Sequence, residues 1–426
     1  MKSKEVIKDI IKSNEDFINN TVGEVLPRYD IAFPTKLKKV KIIYGARRSG
    51  KTFLLYSLFK KNKENALYID FEDERLNGIE LNELDKIREG FFELKPHLLS
   101  KKNIIFLLDE IQNIRGWEKY ARRLVEREGI DLYVAGSSSQ ITPSRISSSL
   151  RGREWSFALF PFSFKEFLGI KQIEITNSLY GKEKILVNKH LNEYLEYGGF
   201  PEVTLVEDDF TKQKLLHEYM SAMFFKDLVE QFSLKNITLL ETLKGSLFSS
   251  FSAKFSVSSF YKKFKEKFPF SKTSLFRYYN AFLKSMLIFE ARFFSPSAYK
   301  QRRNPPKIYI VDPGLAMRAK SQDWGRALEN VVFLELKRKG YDIYYYMGKK
   351  ECDFILKESN RDLSAMQVAW EVTDDNKQRE YEGLVEACKS LKKARGTIIT
   401  RDQYIKEKVS GINISCIPFA KWLASE

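Results

Sequence analysis

The sequence has few of the residues that build metal centres, disulfide frameworks or membrane anchors. Among 426 residues there are three cysteines and three histidines, and neither type recurs at a metal-ligand spacing, which argues against a structural zinc site. An odd number of widely spaced cysteines favours buried, reduced thiols. No apolar run approaches the roughly 18 residues of a membrane-spanning helix, and the charged N-terminus lacks the apolar stretch of a signal peptide. We therefore expect a cytoplasmic protein.

What the sequence does contain is apolar side chains and positive charge. Apolar residues make up 43% of the chain, with 33 Phe and 21 Tyr, and a chain of this length is expected to form roughly two to four domains. The formal net charge is +16 and the pI is about 9.4. Such a charge favours a polyanionic partner. A generally basic proteome gives the same total, so the location of the charge matters more than its sum.

A phosphate-binding loop occupies residues 45–52. An apolar segment at 39–44 runs directly into G-A-R-R-S-G-K-T, and a helical pattern follows, which is the strand–loop–helix setting of the G-x-x-x-x-G-K-T motif. The glycines let consecutive amides face the phosphates. Lys51 is predicted to reach the β- and γ-phosphates, and Thr52 to bind Mg²⁺. The predicted ATP-binding residues are Gly45, Ala46, Arg47, Arg48, Ser49, Gly50, Lys51 and Thr52.

An acidic pair follows a second apolar strand at 103–108. Asp109 is predicted to orient Mg²⁺ through its water shell, and Glu110 to activate the attacking water as a general base. A third apolar segment, 132–135, leads into G-S-S-S at 136–139. Ser137 or Ser138 is a candidate sensor of the γ-phosphate, and an ordinary turn is the alternative. Together these motifs predict an ATPase with ATP and Mg²⁺ as cofactors.

At these motifs the chain resembles a family of prokaryotic AAA+-like P-loop ATPases, abundant in archaea, whose C-terminal region is a domain of unknown function. The resemblance implies an α/β P-loop NTPase core with parallel strands in the order 5-1-4-3-2, followed by a helical lid. The segments that carry it are G-A-R-R-S-G-K-T at 45–52, L-L-D-E-I-Q at 107–112, A-G-S-S-S at 135–139, S-L-R-G-R at 149–153, F-P-F-S-F-K-E-F-L at 160–168 and Y-G-G-F-P-E-V at 197–203.

The resemblance also implies roles for residues outside the P-loop. Arg151 and Arg153 are similar to arginines that such ATPases present to the nucleotide of a neighbouring subunit, where positive charge stabilises the transition state. Pairing with carboxylates, or capping of a strand, is the alternative. Pro201 is expected to pack on the adenine base beneath the lid. An arginine that acts in trans requires a homo-oligomer.

Positive charge concentrates in residues 252–307, which contain thirteen Lys or Arg and two Glu, a net of +11. Helical and strand patterns between 237 and 312 are typical of a winged helix, with 272–285 as recognition helix and 295–306 as a polar wing-like loop. Contact with duplex DNA is one interpretation, and a lysine-rich face that serves protein contacts is the other. The predicted contacts are Lys272, Thr273, Arg277, Lys300, Arg302 and Arg303, with Tyr278 and Tyr279 interleaved on the recognition helix.

Residues 313–426 resemble the PD-(D/E)XK nuclease fold, a restriction-endonuclease-like α/β domain in which acids gather Mg²⁺ and a lysine activates water. Matched position by position, Glu329, Asp353 and Gln367 take the acidic places, which gives a possible second Mg²⁺ site. Ala369 stands at the lysine place, and Lys377 on the next helix is a candidate to replace it. Because Gln is a neutral ligand and Ala polarises nothing, an inactive nuclease fold kept for binding is favoured.

These patterns predict an N-terminal helix and linker at 1–35, an ATPase core at 36–170, a helical lid at 171–236, a winged helix at 237–312 and a nuclease-like domain at 313–426. The favoured function is an ATPase that couples nucleotide state to duplex DNA. An ATP-gated nuclease, and a nucleotide-dependent oligomerisation switch without nucleic acid, are the alternatives. They differ in whether the basic residues of 252–307 are needed for DNA binding and Asp353 for cleavage.

Overall fold

The computed structural model describes residues 2–26, 28, 31, 33–34, 37–137, 141, 146, 149–175, 180–318, 323–358 and 362–425. The chain forms two units, Met1–Phe160 and Pro161–Glu426. The segments 171–236, 237–312 and 313–426 all fall in the second unit, as do residues 161–170, and the boundaries among them stay predictions. In the described part of the chain, no helix has the length and apolar character needed to cross a membrane.

The first unit is built on a five-stranded parallel sheet. Its order is β2-β3-β4-β1-β5, which is 5-1-4-3-2 when counted from the other edge. The strands are almost continuously apolar because helices cover both faces; Phe106 and Leu107, for example, belong to two separate core clusters. The strands are β1 (Val40–Gly45), β2 (Ala66–Asp70), β3 (Ile105–Asp109), β4 (Asp131–Ser137) and β5 (Glu154–Ala158).

Helices pack against this sheet, among them α1 (Lys4–Asn20), α2 (Lys51–Lys61), α3 (Leu84–Leu94) and α4 (Trp117–Glu126). The first begins where the Ser3 side chain accepts a hydrogen bond from the Val6 amide, a standard N-cap. Its Ile7 and Ile11 are buried in the same cluster as Phe91 of α3, so the amphipathic N-terminal helix packs on the sheet. Short 3-10 turns occupy Glu74–Leu76, Leu81–Glu83, Pro96–Leu98 and Ile111–Asn113.

The second unit opens with helices. The first of them is started by a capping box, in which Ser163 and Glu166 each accept a hydrogen bond from the other's amide. The helices are α5 (Phe164–Ile170), α6 (Gly181–Tyr197), α7 (Pro201–Leu205), α8 (Asp209–Ala222), a π-helical segment (Met223–Glu230) and α9 (Ile237–Ser249).

A glycine turn between α6 and α7 is packed on a buried aspartate. The Gly199 amide donates to the Asp312 carboxylate at 2.8 Å, and the Gly314 amide donates to it at 2.9 Å. Gly198 has φ of +79°, and a Cβ there would overlap the Asp312 side chain. Burial raises the pKa of Asp312 to about 7, although the backbone hydrogen bonds oppose this. The Y-G-G-F-P and D-P-G segments are therefore one packing unit.

The rest of the second unit is a nine-stranded mixed sheet in the order β13-β14-β12-β11-β10-β9-β7-β8-β6. Strands β7 and β9 pair in parallel, so residues 253–310 and 342–418 contribute to one sheet. The strands are β6 (Ala253–Lys254), β7 (Ile288–Phe293), β8 (Lys307–Ile310), β9 (Asp342–Met347), β10 (Glu351–Lys357), β11 (Leu363–Val368), β12 (Arg395–Thr400), β13 (Ile405–Val409) and β14 (Ile412–Pro418).

Helices cover this sheet, and one of them is tied to it by an amide. Asn330 donates to the Ile310 carbonyl at 2.9 Å and accepts from the Ile310 amide at 2.8 Å, which satisfies both backbone groups of that strand residue. The helices are α10 (Val257–Phe264), α11 (Lys272–Lys284), α12 (Ala298–Arg303), α13 (Pro313–Met317), α14 (Trp324–Arg338), α15 (Asp374–Ser390) and α16 (Phe419–Ser425).

Two local expectations are wrong and one is confirmed. Residues 298–303 form α12 rather than a polar loop, because the Ser297 side chain caps them. Tyr278 and Tyr279 are each 5% exposed, so they belong to the core beneath α11 and not to a basic surface. Their hydroxyl groups bind the Asn236 amide and the Glu290 carboxylate. The prediction of buried thiols is confirmed for Cys352, Cys388 and Cys416, none of which forms a disulfide in the structure.

Candidate functional site

The P-loop lies between β1 and α2 and curls as the motif predicts. Gly50 and Arg48 have φ of +92° and +66°, and a Cβ on Gly45 would overlap the Leu159 carbonyl. Lys51 is 7% exposed, and its ammonium donates to the carbonyls of Gly45 at 3.1 Å and Ala46 at 3.0 Å. The ammonium is therefore held inside the loop, where the N-terminal end of α2 adds the positive end of its dipole.

Two further features of the loop involve Ser49. The Ser49 hydroxyl is buried without a hydrogen-bond partner among the described residues, and a buried hydroxyl of this kind is normally satisfied. Arg28 donates to the Ser49 carbonyl at 3.1 Å and to the Phe160 carbonyl at 2.8 Å. These hydrogen bonds connect Arg28 to the P-loop and to the residue at the end of the first unit, a contact that no sequence motif predicts. Arg47 and Arg48 lie in the loop, half-buried and exposed.

Thr52 and Asp109 meet at the first turn of α2. The Thr52 hydroxyl donates to Asp109 Oδ2 at 2.7 Å, and the Tyr68 hydroxyl lies 3.3 Å from the same oxygen. Asp109 is 1% exposed. Burial, and then the charge of Glu110, raise the pKa of Asp109 to about 7. A hydroxyl and a carboxylate side by side are the hard oxygen donors that Mg²⁺ takes, so this pair fits the metal that the motif predicts.

Glu110 follows in a left-handed conformation, with φ of +47°, that turns its side chain away from the strand direction. Burial raises its pKa, and the Lys51 charge and a hydrogen bond from Gln112 oppose the rise. The Gln112 amide donates to Glu110, while its carbonyl oxygen is buried without a partner among the described residues. A Cβ on Gly136 would overlap Gln112. Gln112 thus links the predicted base to the end of β4.

The sensor residues lie at the end of β4. Ser137 is the last residue of this strand and pairs in register with Gly45 of the P-loop, so its backbone adjoins the phosphate-binding loop. Ser138 lies outside the described residues. The sensor role of either serine stays a prediction.

The residues assigned from the family resemblance lie apart from the P-loop residues in sequence. Arg153 forms an ion pair with Glu126, which is the carboxylate pairing named as the alternative to a finger. Arg151 is exposed and has φ of +51°. Pro201 is the first residue of α7 in the second unit. Action in trans by the arginines, and contact of Pro201 with adenine, stay predictions.

In the second unit, Glu329, Asp353 and Gln367 are brought into one buried cluster, but a lysine lies among them. Lys307 donates to Glu329 at 3.0 Å and to Asp353 at 2.8 Å, whereas Lys377 pairs with Glu407 instead of the cluster. Gln367 accepts from the Asp353 amide at 3.0 Å. Within the described ranges, no group of three or more His, Cys, Asp or Glu side chains could hold a metal ion.

A basic surface lies on α11, α12 and the adjoining strand. Lys272, Thr273, Lys300, Arg302 and Arg303 are exposed. Arg277 is exposed too, but its guanidinium donates to the Phe232 carbonyl. A groove of about 310 Å³ runs between these elements. Its lining includes Ser256, Phe276, Arg292, Arg302, Arg303 and Asn304.

Comparison with known proteins places this fold and site in a class. An AAA domain model matches residues 37–168, and two domains of unknown function, DUF8612 and DUF4143, match residues 188–324 and 324–422. The first unit is therefore an AAA-type P-loop ATPase domain. A solved structure of the Aeropyrum pernix ORC1 protein in complex with DNA is similar at 12% identity and a TM-score of 0.27, over 76% of this chain and 93% of that one.

Two curated relatives span almost the whole chain. An uncharacterized protein, MJ1544, of Methanocaldococcus jannaschii is 35% identical over 408 residues, which are 92% of this chain and 90% of the relative. An uncharacterized protein of Haemophilus influenzae is 27% identical over 395 residues, 90% of this chain and 94% of that protein. The chain belongs to the same family as MJ1544, and in this chain the AAA domain is followed by two domains of unknown function.

Proposed function

We propose that the protein binds and hydrolyses Mg-ATP at the P-loop of its first unit. The observation that carries this proposal is the 2.7 Å contact between Thr52 Oγ1 and Asp109 Oδ2 at the start of α2, with Glu110 next along the chain. When bound, Mg²⁺ supplies the positive charge that neutralises the phosphates and orients them. The residues that would hold it are Thr52, directly, and Asp109, through water.

The remaining residues of the site act on the phosphates and on water. When ATP binds, its phosphate oxygens replace the carbonyls of Gly45 and Ala46 as hydrogen-bond acceptors of the Lys51 ammonium. The loop amides donate to the remaining phosphate oxygens. Glu110 accepts a proton from the attacking water. Its burial raises its pKa, which makes it a stronger base than a solvated carboxylate. Gln112 holds the Glu110 carboxylate through its amide, and Ser137 is the proposed sensor.

We propose further that the ATPase is coupled to duplex DNA through the basic surface of the second unit. Elements α9–α12 and β6–β8 follow one another as helix, strand, helix, helix, strand, short helix and strand, which supports a winged-helix interpretation. Lys300, Arg302 and Arg303 lie together on exposed α12, and Tyr299 beside them is 70% exposed. Cations beside an exposed ring suit contacts to phosphates and sugars.

The alternatives from the sequence are less well supported. The 3.0 Å and 2.8 Å contacts of Lys307 with Glu329 and Asp353 leave a buried ammonium where an ATP-gated nuclease needs Mg²⁺. A nucleotide-dependent oligomerisation switch would use the same ATP site. Only the role of the basic surface distinguishes that hypothesis from DNA coupling. The decisive variant is therefore one that removes charge from α12 and leaves the P-loop unchanged.

The test is duplex DNA binding as a function of salt, with DNA-stimulated ATP turnover measured in parallel. Arg302→Gln/Arg303→Gln is expected to weaken binding and to reduce the slope of log K against log salt by about 2. The matched control is Lys349→Gln/Lys350→Gln, which removes two exposed charges outside α12. An equal loss of DNA affinity in both variants would mean that the total charge of the protein, and not the α12 surface, determines binding. Turnover that DNA never stimulates would favour the switch.

A further inference from the structure

Lys307 begins β8 and places its ammonium at the centre of three carboxylates. Nζ lies 2.8 Å from Asp353 Oδ1, 2.8 Å from Glu351 Oε1 and 3.0 Å from Glu329 Oε1. An ammonium has three hydrogens to donate, and each has one carboxylate here. The Lys307 side chain is 2% exposed, so water does not compete for these hydrogen bonds.

The carboxylates of the cluster accept further hydrogen bonds. Asp353 Oδ2 accepts from the Val368 amide at 3.0 Å, and Glu329 accepts a second hydrogen bond, from the Tyr309 hydroxyl, at 2.7 Å. Glu351 pairs with Lys254 at the edge of the cluster, at 2.7 Å. Hydrogen bonds in a buried polar network fix the geometry of its side chains.

The neutral side chain of Gln367 suits a cluster whose central cation is an ammonium with one positive charge, and not a metal ion with two. Its carbonyl accepts from the Asp353 amide at 3.0 Å, and its amide donates to Glu380 at 2.9 Å. A glutamate at this position would add a second negative charge beside Glu380, whose own charge is paired with Arg379. The neutral side chain adds no charge that a metal ion would have to balance.

The electrostatics of the cluster also favour a charged Lys307. Burial opposes the charged form of Lys307, but the charges of Asp353 and Glu329 outweigh it and raise the pKa of the ammonium well above its usual range. The stacking of Tyr309 on Phe333, with ring centroids 3.9 Å apart, encloses the cluster from the helix side. The Lys307 ammonium is therefore shielded from solvent, whereas Glu351 at the edge of the cluster is 30% exposed.

We propose that Lys307 is the resident cation of this acidic cluster, a covalently attached ammonium in the place where a divalent metal would otherwise bind. The cluster then joins β8 to α14 and β10 without a metal, and the second unit acts on nucleic acid by binding and not by cleavage. Removal of the ammonium is expected to open a site for a divalent cation, with oxygen ligands from Glu329, Glu351 and Asp353.

The experiment is Mn²⁺ titration followed by electron paramagnetic resonance, without nucleotide, in an Asp109→Asn background that disables the P-loop metal site. Lys307→Met is expected to bind one Mn²⁺ at least about tenfold more tightly than any non-specific binding by the parent, a difference of about 1.4 kcal/mol. Lys307→Arg keeps a positive charge and is expected to bind none. The matched control, Lys254→Met, removes the exposed partner of the same Glu351 and should create no site.

Two measurements on protein with native Lys307 keep the proposal open to refutation even when Lys307→Met is insoluble. Mn²⁺ bound by the parent and released by Asp353→Asn would overturn it, because the cluster would already hold a metal. DNA cleavage by the otherwise unaltered protein that Asp353→Asn abolishes would overturn it too. A soluble Lys307→Met protein that binds no more Mn²⁺ than Lys254→Met would show that the ammonium does not stand in for a metal.

Discussion

Replacing Asp109 with Asn is predicted to stabilise the nucleotide-free first unit while it removes Mg-ATP binding. Asp109 is 1% exposed, and burial raises its pKa from 3.8 to about 7. In the folded state without Mg²⁺, the ionised carboxylate is therefore unfavourable. The amide of Asn is neutral, so the variant does not have the free-energy cost of burying an ionised carboxylate.

The magnitude follows from the shifted pKa. A rise from 3.8 to about 7 corresponds to ~4 kcal/mol. Because the folded pKa lies above the unfolded value, the cost is small near pH 4 and complete above about pH 7. Against it, an Asn oxygen cannot accept from Thr52, Tyr68 and the Glu110 amide together, which costs about 1 kcal/mol per lost hydrogen bond. The net gain in the free energy of unfolding is ~2 kcal/mol at pH 8 and near zero at pH 5.

Hydrogen exchange of the β1 and β3 amides, measured without nucleotide or Mg²⁺ at pH 5 and pH 8, checks this prediction within the first unit. Asn at position 109 should slow exchange from the globally unfolded state at pH 8 by about thirtyfold relative to the wild type. The reasoning is refuted when the variant is no more stable at pH 8, or when its gain is the same at both pH values.

Two further outcomes follow from the structure. Gly198→Ala should destabilise the second unit by several kcal/mol, since its Cβ would overlap Asp312, whereas Gly340→Ala, also at positive φ but in open space, should cost only about 1 kcal/mol; urea unfolding compares them, and similar losses would contradict the clash. Gln112→Ala should preserve ATP binding and move the acid limb of the turnover profile to higher pH, because a hydrogen bond that lowers the pKa of Glu110 is lost. An unmoved acid limb would mean that Gln112 does not influence the base.

The parts of the molecule that the sequence predicts well are those set by neighbouring residues. The P-loop is a contiguous motif, and its strand and helix follow from local patterns. Asp109 and Thr52, 57 residues apart, meet because parallel strands end at one edge of a sheet. The parallel sheet and the gathering of Glu329 with Asp353 follow from the family resemblances, and the burial of the cysteines follows from their odd number and wide spacing.

The contacts that could not be predicted from the sequence are those that depend on tertiary packing. Lys307 counts toward the basic composition of 252–307, yet it is buried among acids from two other elements. Tyr278 and Tyr279 lie between Arg277 and Lys284 along α11 but are on its buried side, and the helical period alone does not say which side that is. Arg28 belongs to no motif, and its hydrogen bond to the Ser49 carbonyl of the P-loop is a tertiary contact between residues 21 positions apart.

The most direct measurement of the central claim is steady-state ATP turnover by the purified protein and by Glu110→Gln, with nucleotide binding measured on both. We predict that the variant binds Mg-ATP like the wild type and turns it over about 10²- to 10⁴-fold more slowly, because only the general base is lost. Wild-type turnover that Glu110→Gln leaves unchanged, or a wild type that binds ATP and never hydrolyses it, would contradict the account.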